Sequence, residues 1–255
     1  MAMKMGISIK IKGKNYLNKH KNQTVVALKA IDIFVKPKEF VCLVGPSGCG
    51  KTTLMNIIGG LVGAEHQEIS INDKPISDKN TLGYVFQTSR LLPWLTLYEN
   101  IKLIYKKEEK RSEEKIKKIL KSFGLGEFID SYPNTISGGM RRKVSLARAF
   151  VNNPEVLLMD EPFISLDQPT TEELYKVLID YWGKNPTTVI FITHNLKEAL
   201  LLGDRILFLT KRPGKIVLDY KVKSKRYPLK IDNGEVDKEY LNINKKYPNL
   251  LKGLV

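Results

Sequence analysis

The sequence predicts an α/β fold interrupted by a helical insertion, and three observations predict it. Four short runs are almost wholly apolar: "FVCLV" at 40–44, "VLLMD" at 156–160, "TVIFIT" at 188–193 and "ILFLT" at 206–210. Continuous apolarity, rather than alternation, is what parallel strands covered on both faces require. Segments with a helical period lie between these runs, and strand followed by helix, repeated, means α/β. From about Thr88 to Asn153 the pattern changes to helices with no convincing strand. With 255 residues, of which 42% are hydrophobic, the chain can bury a substantial core. The organisation expected is one domain over 1–220, a helical subdomain at about 88–153, and a polar C-terminal tail or small appendage at 221–255.

The elements follow in order. After "FVCLV" and a glycine-rich stretch, Leu54, Ile57, Ile58 and Leu61 fall at i, i+3, i+4 and i+7, one face of a helix. In the insertion, Ile116, Ile119, Leu120 and Phe123 form an apolar stripe, and Gly124 reads as its C-cap. The charge run "KKEEKRSEEKIKK" (106–118) places Glu113 four residues before Lys117 and Glu114 four before Lys118. Interleaved signs mark a solvated helix face rather than a nucleic-acid patch. After Pro169, Leu174, Val177, Leu178 and Tyr181 repeat the helical spacing, with Thr170 and Glu173 reading as a capping box.

Lys plus Arg number 42 against 27 Asp plus Glu, a formal net charge of +15. That balance reads either as a Lys-rich solvated surface or as favouring an anionic partner, without choosing among nucleotide, nucleic acid and an acidic membrane surface. Cys42 and Cys49 make no disulfide framework and suit a reduced cytosolic setting. The start "MAMKMGISIKIKGK" has no apolar stretch behind its lysines, so no secretory signal is read there. The longest apolar stretch, "ALLLGDRILFLT", is broken by Asp204 and Arg205, so a role at a membrane is expected to depend on docking.

The chemistry begins at "GPSGCGKTT", Gly45 to Thr53. Its first eight residues match G-x-x-x-x-G-K-[ST] between an apolar run and a helical one, the context that identifies a phosphate-binding P-loop. The backbone from Gly45 through Pro46, Ser47, Gly48, Cys49 and Gly50 to Thr53 forms the cradle, its glycines letting N–H groups point inward at phosphate oxygens. The helix dipole adds to it. Lys51 is expected to reach the β- and γ-phosphates, and the Thr52 hydroxyl to ligate Mg²⁺. Cys49 either carries an acidified thiol at that helix start or fills the loop as a small residue. The fold class expected is then a P-loop NTPase (RecA-like) core with a mostly parallel sheet, with nucleotide and Mg²⁺ bound.

"VLLMDEP" ends an apolar run in Asp160, which places a carboxylate at the ligand edge of the sheet as a second anchor for Mg²⁺. Glu161 follows and is positioned to orient or deprotonate an attacking water. "TVIFIT" ends at His194, at the same kind of edge, suited to the γ-phosphate or the attacking water. A second anion seat lies at Ser137, Gly138 and Gly139, a hydroxyl and two glycines opening a basic helical stretch, "ISGGMRRKVSLARAF".

Taken in order, the P-loop, "VFQ", "ISGGM", "LLMDEP", "SLD" and "ITH" resemble ATP-binding cassette (ABC) ATPases over nearly all of 1–220. The resemblance implies an antiparallel β subdomain near the N-terminus. It implies that Gln87 ligates Mg²⁺ and senses the membrane partner, that Tyr16 stacks on adenine, and that Asp167 sits at a subunit interface. It makes Glu161 the base and His194 the switch histidine. Ser137, Gly138 and Gly139 then serve the ATP held by the P-loop of a second ATPase subunit in a head-to-tail dimer. "VFQTSRLLPWLTLYENI", "FGLGEFIDSYPNTISGGM" and "KRPGKIVLDY" are similar to importers of the nitrate, sulfonate, taurine and bicarbonate group. That similarity implies an ATPase at the cytoplasmic face of the membrane, with permease subunits and, indirectly, an extracytoplasmic substrate-binding protein as partners. Leu91, Leu92 and Trp94 are read as either part of the docking surface or subdomain core. Departures are Ile136 and Met140 in the signature, Ile164 before "SLD", Asn195 after the histidine, and Lys38 where glycine usually precedes "EF". A soluble ABC ATPase acting on nucleic acid or ribosomes is the alternative; one cassette without a long coiled coil argues against it, and nucleic acid is not expected as a partner.

Overall fold

A computed structural model describes residues 5–18, 22–76, 82–104, 112–224, 229–231 and 234–254. The run at 106–111 that opens the basic-acidic stretch lies outside them. In chain order the elements are β1 (Ile7–Ile11), β2 (Lys14–Asn18), β3 (Gln23–Leu28), β4 (Ile31–Val35), β5 (Phe40–Val44), α1 (Lys51–Ile58), β6 (Glu68–Ile71) and β7 (Lys74–Pro75). They continue with β8 (Leu82–Val85), α2 (Leu97–Lys102), α3 (Ser112–Ser122), α4 (Gly138–Phe150), β9 (Val156–Asp160), α5 (Gln168–Lys184), β10 (Thr188–Thr193), α6 (Leu196–Leu202), β11 (Arg205–Leu209), β12 (Ile216–Lys221) and α7 (Gly234–Lys246). They divide into two compact units, one of residues 1–79 with 188–255, the other of 80–187.

In the first unit the strands run in the order β12-β11-β5-β10. β5 is parallel to β10, with Phe40 opposite Val189, and parallel to β11, with Val41 opposite Arg205. All residues of β5 and β10 are buried, the expected consequence of unbroken apolar runs. An antiparallel sheet β4-β1-β6-β7 and a hairpin of β2 with β3 complete the β-structure. Here the sequence alternates: Ile7, Ile9 and Ile11 are buried while Lys10 between them is exposed. Lys38, where glycine is usual, holds φ 61° and donates its N–H to Thr188 Oγ1 at 3.0 Å, so the turn keeps the left-handed backbone of a glycine.

α1 ends earlier than its spacing suggested. Ile58 is its last residue, Gly60 takes φ 70°, and Leu61 lies beyond the helix, 57% exposed. The glycine pair stops the helix before Leu61 returns to the buried face.

In the C-terminal part of this unit, α7 packs on α6 and is anchored by Glu239. That buried carboxylate accepts from Tyr220 Oη at 2.7 Å, Lys223 N at 2.9 Å and Ser224 N at 3.1 Å. Burial and the neighbouring Glu239 carboxylate push the Tyr220 phenol well above its ordinary pKa.

In the second unit β8 and β9 pair in parallel, Val85 opposite Met159. Phe123, Phe150 and Tyr181 meet with ring centroids 4.9–6.3 Å apart and tie the end of α3, α4 and α5 into one core. Ile116, Ile119, Leu120 and Phe123 are all buried, and Gly124 closes the helix at φ 70°. Glu113 and Lys117 pair at 2.6 Å on the outer face. The start of α5 differs from the sequence reading. Asp167, not Thr170, is the N-cap: its Oδ1 accepts from Thr170 N and its Oδ2 from Thr170 Oγ1, each at 2.9 Å. Pro169 lies in the first turn, where its missing N–H costs nothing, so the helix begins before it. Glu173 is free of any capping box and instead pairs with Lys143 at 2.6 Å. The two hydrogen bonds from Thr170 hold the Asp167 carboxyl below its ordinary pKa.

Candidate functional site

The P-loop lies in the first unit, between β5 and α1. Gly48 has φ 72° and Gly50 φ 110°, conformations closed to most side chains. A Cβ on Gly50 would sit 2.9 Å from the Ala27 carbonyl oxygen and 2.7 Å from Leu28 Cδ2, so this glycine also admits β3 behind the loop. Gly50 is the N-cap of α1, and no side chain caps the helix; its first N–H donors are left to the backbone and to an anion. Lys51 is buried at 5% exposure, its Nζ donating to Gly45 O at 2.8 Å and Pro46 O at 3.0 Å. The ammonium is thus already folded over the concave side of the loop. Cys49 is buried, its Sγ 3.9 Å from Lys51 Nζ.

Two further residues of interest belong to the same unit. Tyr16 on β2 is 41% exposed, with Lys14 Nζ 4.8 Å from its ring centroid. His194 follows β10 and is exposed, and the next residue, Asn195, caps α6 by accepting from Lys197 N at 3.0 Å and Glu198 N at 3.3 Å.

The second unit holds Gln87, the Ser137 seat, Asp160 and Glu161. Asp160 ends β9 and is buried at 6% exposure. On the neighbouring strand, burial first and the Asp160 carboxylate second drive the Tyr84 phenol well above its ordinary pKa. Glu161 is half-buried with φ 43°, a left-handed backbone that a non-glycine residue adopts at a cost.

Gln87 follows β8 and is exposed. Its backbone is gripped from α4: Arg142 donates from Nη1 to Phe86 O at 2.8 Å and from Nη2 to Gln87 O at 2.5 Å. Arg148 does the same one turn and a half later, to Arg90 O and Ser89 O at 2.9 Å each. Burial lowers the Arg142 guanidinium to a pKa of about 10, still fully charged near neutrality. The sequence reading missed both arginines. Arg142 stands on the same helical face as Ser145, Leu146 and Ala149, all buried, but the carbonyls it grips lie 56 and 55 residues away in the sequence.

Ser137 caps α4, its Oγ accepting from Met140 N at 3.1 Å. The two glycines of this seat differ. A Cβ on Gly138 would meet nothing closer than 3.8 Å, but one on Gly139 would lie 2.6 Å from Thr170 Cγ2. Gly139 therefore lets α4 approach the start of α5, and Gly138 leaves the helix end open.

Beyond Gln87, Trp94 is 69% exposed while Leu91 and Leu92 are half-buried. The turn is pinned by Asn100, wholly buried, whose amide donates to Leu92 O, Leu95 O and Thr96 O at 2.9–3.1 Å and accepts from Leu92 N at 2.8 Å. Thr96 and Glu99 form a capping box beside it.

Among the described residues no three His, Cys, Asp or Glu side chains cluster to hold a metal. Thr52, Gln87 and Asp160 each carry the kind of hard oxygen donor that Mg²⁺ prefers. Nor is any described helix long and apolar enough to cross a membrane.

A family profile described as "ABC transporter" matches residues 28–164. The chain is 40% identical over 211 residues to the aliphatic sulfonates import ATP-binding protein SsuB of Bacillus cereus, covering 82% of this chain and 84% of that protein. It is 39% identical to the taurine import ATP-binding protein TauB of Rhizobium johnstonii, covering 76% of each. Among solved structures, the dimeric post-hydrolysis state of the ATP-binding cassette MJ0796, bound to ADP and Pi, superposes with a TM-score of 0.73 at 30% identity, covering 86% of this chain and 100% of that one.

Proposed function

The chain belongs to the ABC transporter family as an ATP-binding cassette ATPase, and on that premise we propose that it powers the import of a small sulfonate through a membrane permease. The observation that carries this reading is the likeness to two importer subunits named for sulfonates and taurine, at 40% and 39% identity over most of the chain. The protein acts at the cytoplasmic face of the membrane, bound to permease subunits that receive substrate from an extracytoplasmic binding protein. Trp94, held out by the Asn100 turn, forms part of the permease contact together with Leu91 and Leu92.

The chemistry is water attack on the γ-phosphate of ATP. The P-loop and Lys51 hold the phosphates, and Tyr16 stacks on adenine. Thr52, Asp160 and Gln87 would hold Mg²⁺, which when bound neutralises charge on the β- and γ-phosphates. Glu161, its backbone already turned out of the strand, orients the water and takes its proton. His194 donates to the γ-phosphate, and Ser137, Gly138 and Gly139 close on that phosphate from the second subunit. Closure on ATP and reopening after hydrolysis shift the dimer between two states, which the permease follows.

The test is reconstitution with the permease in vesicles and measurement of ATP-driven taurine uptake, with methanesulfonate, nitrate and bicarbonate as competitors. Uptake competed by methanesulfonate and abolished by Glu161→Gln is the expected result. Competition by nitrate alone would replace the sulfonate, and ATPase activity stimulated by DNA or ribosomes but not by the permease would overturn transport altogether.

A further inference from the structure

The stretch "KRPG", Lys211 to Gly214, joins β11 to β12 and contributes nothing to the chemistry above. It lies against the backbone of the P-loop. Arg212 Nε donates to Gly48 O at 3.1 Å. Gly214 seats the turn: its N–H donates to Ala27 O and its carbonyl accepts from Lys29 N, both at 3.0 Å. A Cβ on Gly214 would overlap the Cys49 carbonyl oxygen, so the turn touches the P-loop backbone at two successive peptides. The turn is braced internally by Thr210 Oγ1, which donates to Pro213 O and accepts from Lys215 N at 3.0 and 3.1 Å.

A second layer holds this turn. Lys211 N donates to Gly253 O at 3.1 Å. Gly253 takes φ 67°, and a Cβ there would lie 2.5 Å from Lys211 N and 2.8 Å from Pro46 Cγ. The C-terminal turn is thus wedged between the "KRPG" turn and the second residue of the P-loop. Glu239, with its three hydrogen bonds, fastens the preceding helix to the same unit.

A trans peptide is planar, with C=O and N–H pointing to opposite sides. Gripping Gly48 O therefore fixes the direction of Cys49 N–H, which points to the other side of that peptide and makes only a long bond of 3.3 Å to Pro46 O. Gly48, with φ 72° and no side chain, has the freedom to flip that peptide if nothing holds it. We propose that Arg212 is a positioning residue for nucleotide binding, setting the Gly48–Cys49 peptide with an N–H facing the phosphates, and that the C-terminal turn at Gly253 keeps Arg212 in place. This rests on the reading of Gly45–Thr53 as the phosphate cradle.

The test uses the full chain, a fluorescent ATP analogue for affinity, and steady-state ATPase kinetics with the permease. Arg212→Ala should raise Kd and KM for ATP about five-fold or more, with a smaller change in kcat, and Arg212→Lys should recover part of the loss. Gly253→Val, which crowds the backbone N of Lys211, should raise KM in the same direction by less. An Arg212→Ala protein with lowered Tm but unchanged Kd and KM would make the residue merely structural and overturn the proposal. Lys51→Ala serves as the control: if it keeps full ATP affinity, the cradle reading itself fails. If Lys51→Ala loses ATP while Arg212→Ala and Gly253→Val do not, only the present inference fails.

Discussion

The P-loop before α1 and the Ser137 turn before α4, the two anion seats proposed for this molecule, share one device and use it differently. Each is a helix N-terminus with glycines, and the helix dipole favours negative charge at both. The P-loop encloses. Its glycines hold φ values of 72° and 110°, its helix has no side-chain cap, and a buried lysine bends over the concave side. The Ser137 seat presents a face. Its helix already has a cap bond from Met140 N to Ser137 Oγ, Arg141 donates back to Pro133 O and Ile136 O, and of its two glycines only Gly138 stands open. An enclosure can bind a nucleotide by itself; a face needs the phosphate brought to it. That is the physical content of the proposed dimer, in which each subunit's face would meet the other's nucleotide.

The largest effect should follow from breaking the enclosure. Lys51→Ala removes a buried ammonium positioned for phosphate, and charged hydrogen bonds are worth about 1.5–3 kcal/mol each, so loss of two implies a loss of ATP affinity of about a hundredfold or more. Calorimetry on the isolated chain reads this directly, and retention of affinity within tenfold would deny that the two seats differ in kind. Next comes blocking the face. Ser137→Arg should leave ATP affinity of the isolated chain within about twofold while abolishing the ATP-dependent dimer that Glu161→Gln accumulates on a sizing column; losing the cap alone costs about 1 kcal/mol, too little to unfold a domain of this size. If Ser137→Arg instead destroyed binding by the isolated chain, the seat would serve its own nucleotide.

The parts of this architecture that were legible in the sequence are those where one force dominates. "FVCLV", "VLLMD" and "TVIFIT" are buried strands because nothing but burial suits such runs, and the P-loop is legible because only glycine tolerates its backbone. Where two forces compete, the reading slipped. Leu61 fits the helical period, but the preceding glycines end the helix first. Thr170 and Glu173 have capping-box spacing, but Asp167 before Pro169 offers an earlier cap. Residues that act on distant backbone were invisible to local spacing. Arg142 on Phe86 and Gln87 and Arg212 on Gly48 are recognised only once the fold brings their carbonyls near.

The smallest effect tests whether the second seat's glycines are kept for the ligand or for packing. Gly139→Ala adds one methyl group whose carbon would lie 2.6 Å from Thr170 Cγ2. The methyl of Thr170 cannot swing away cheaply, because the hydroxyl on the same Cβ donates to Asp167 Oδ2 at 2.9 Å and secures the cap of α5. Overpacking of this kind costs about 1–3 kcal/mol, against at most about 1 kcal/mol gained by replacing glycine with alanine in a helix. The net expectation is a destabilisation of about 1–2 kcal/mol, seen as a lower urea midpoint with unchanged slope. Gly138→Ala, in open space, should cost nothing or stabilise slightly, yet weaken ATP-dependent dimerisation. If the two substitutions behaved alike in both assays, Thr170 would be yielding, and the division between a packing glycine and an open one would have to be abandoned.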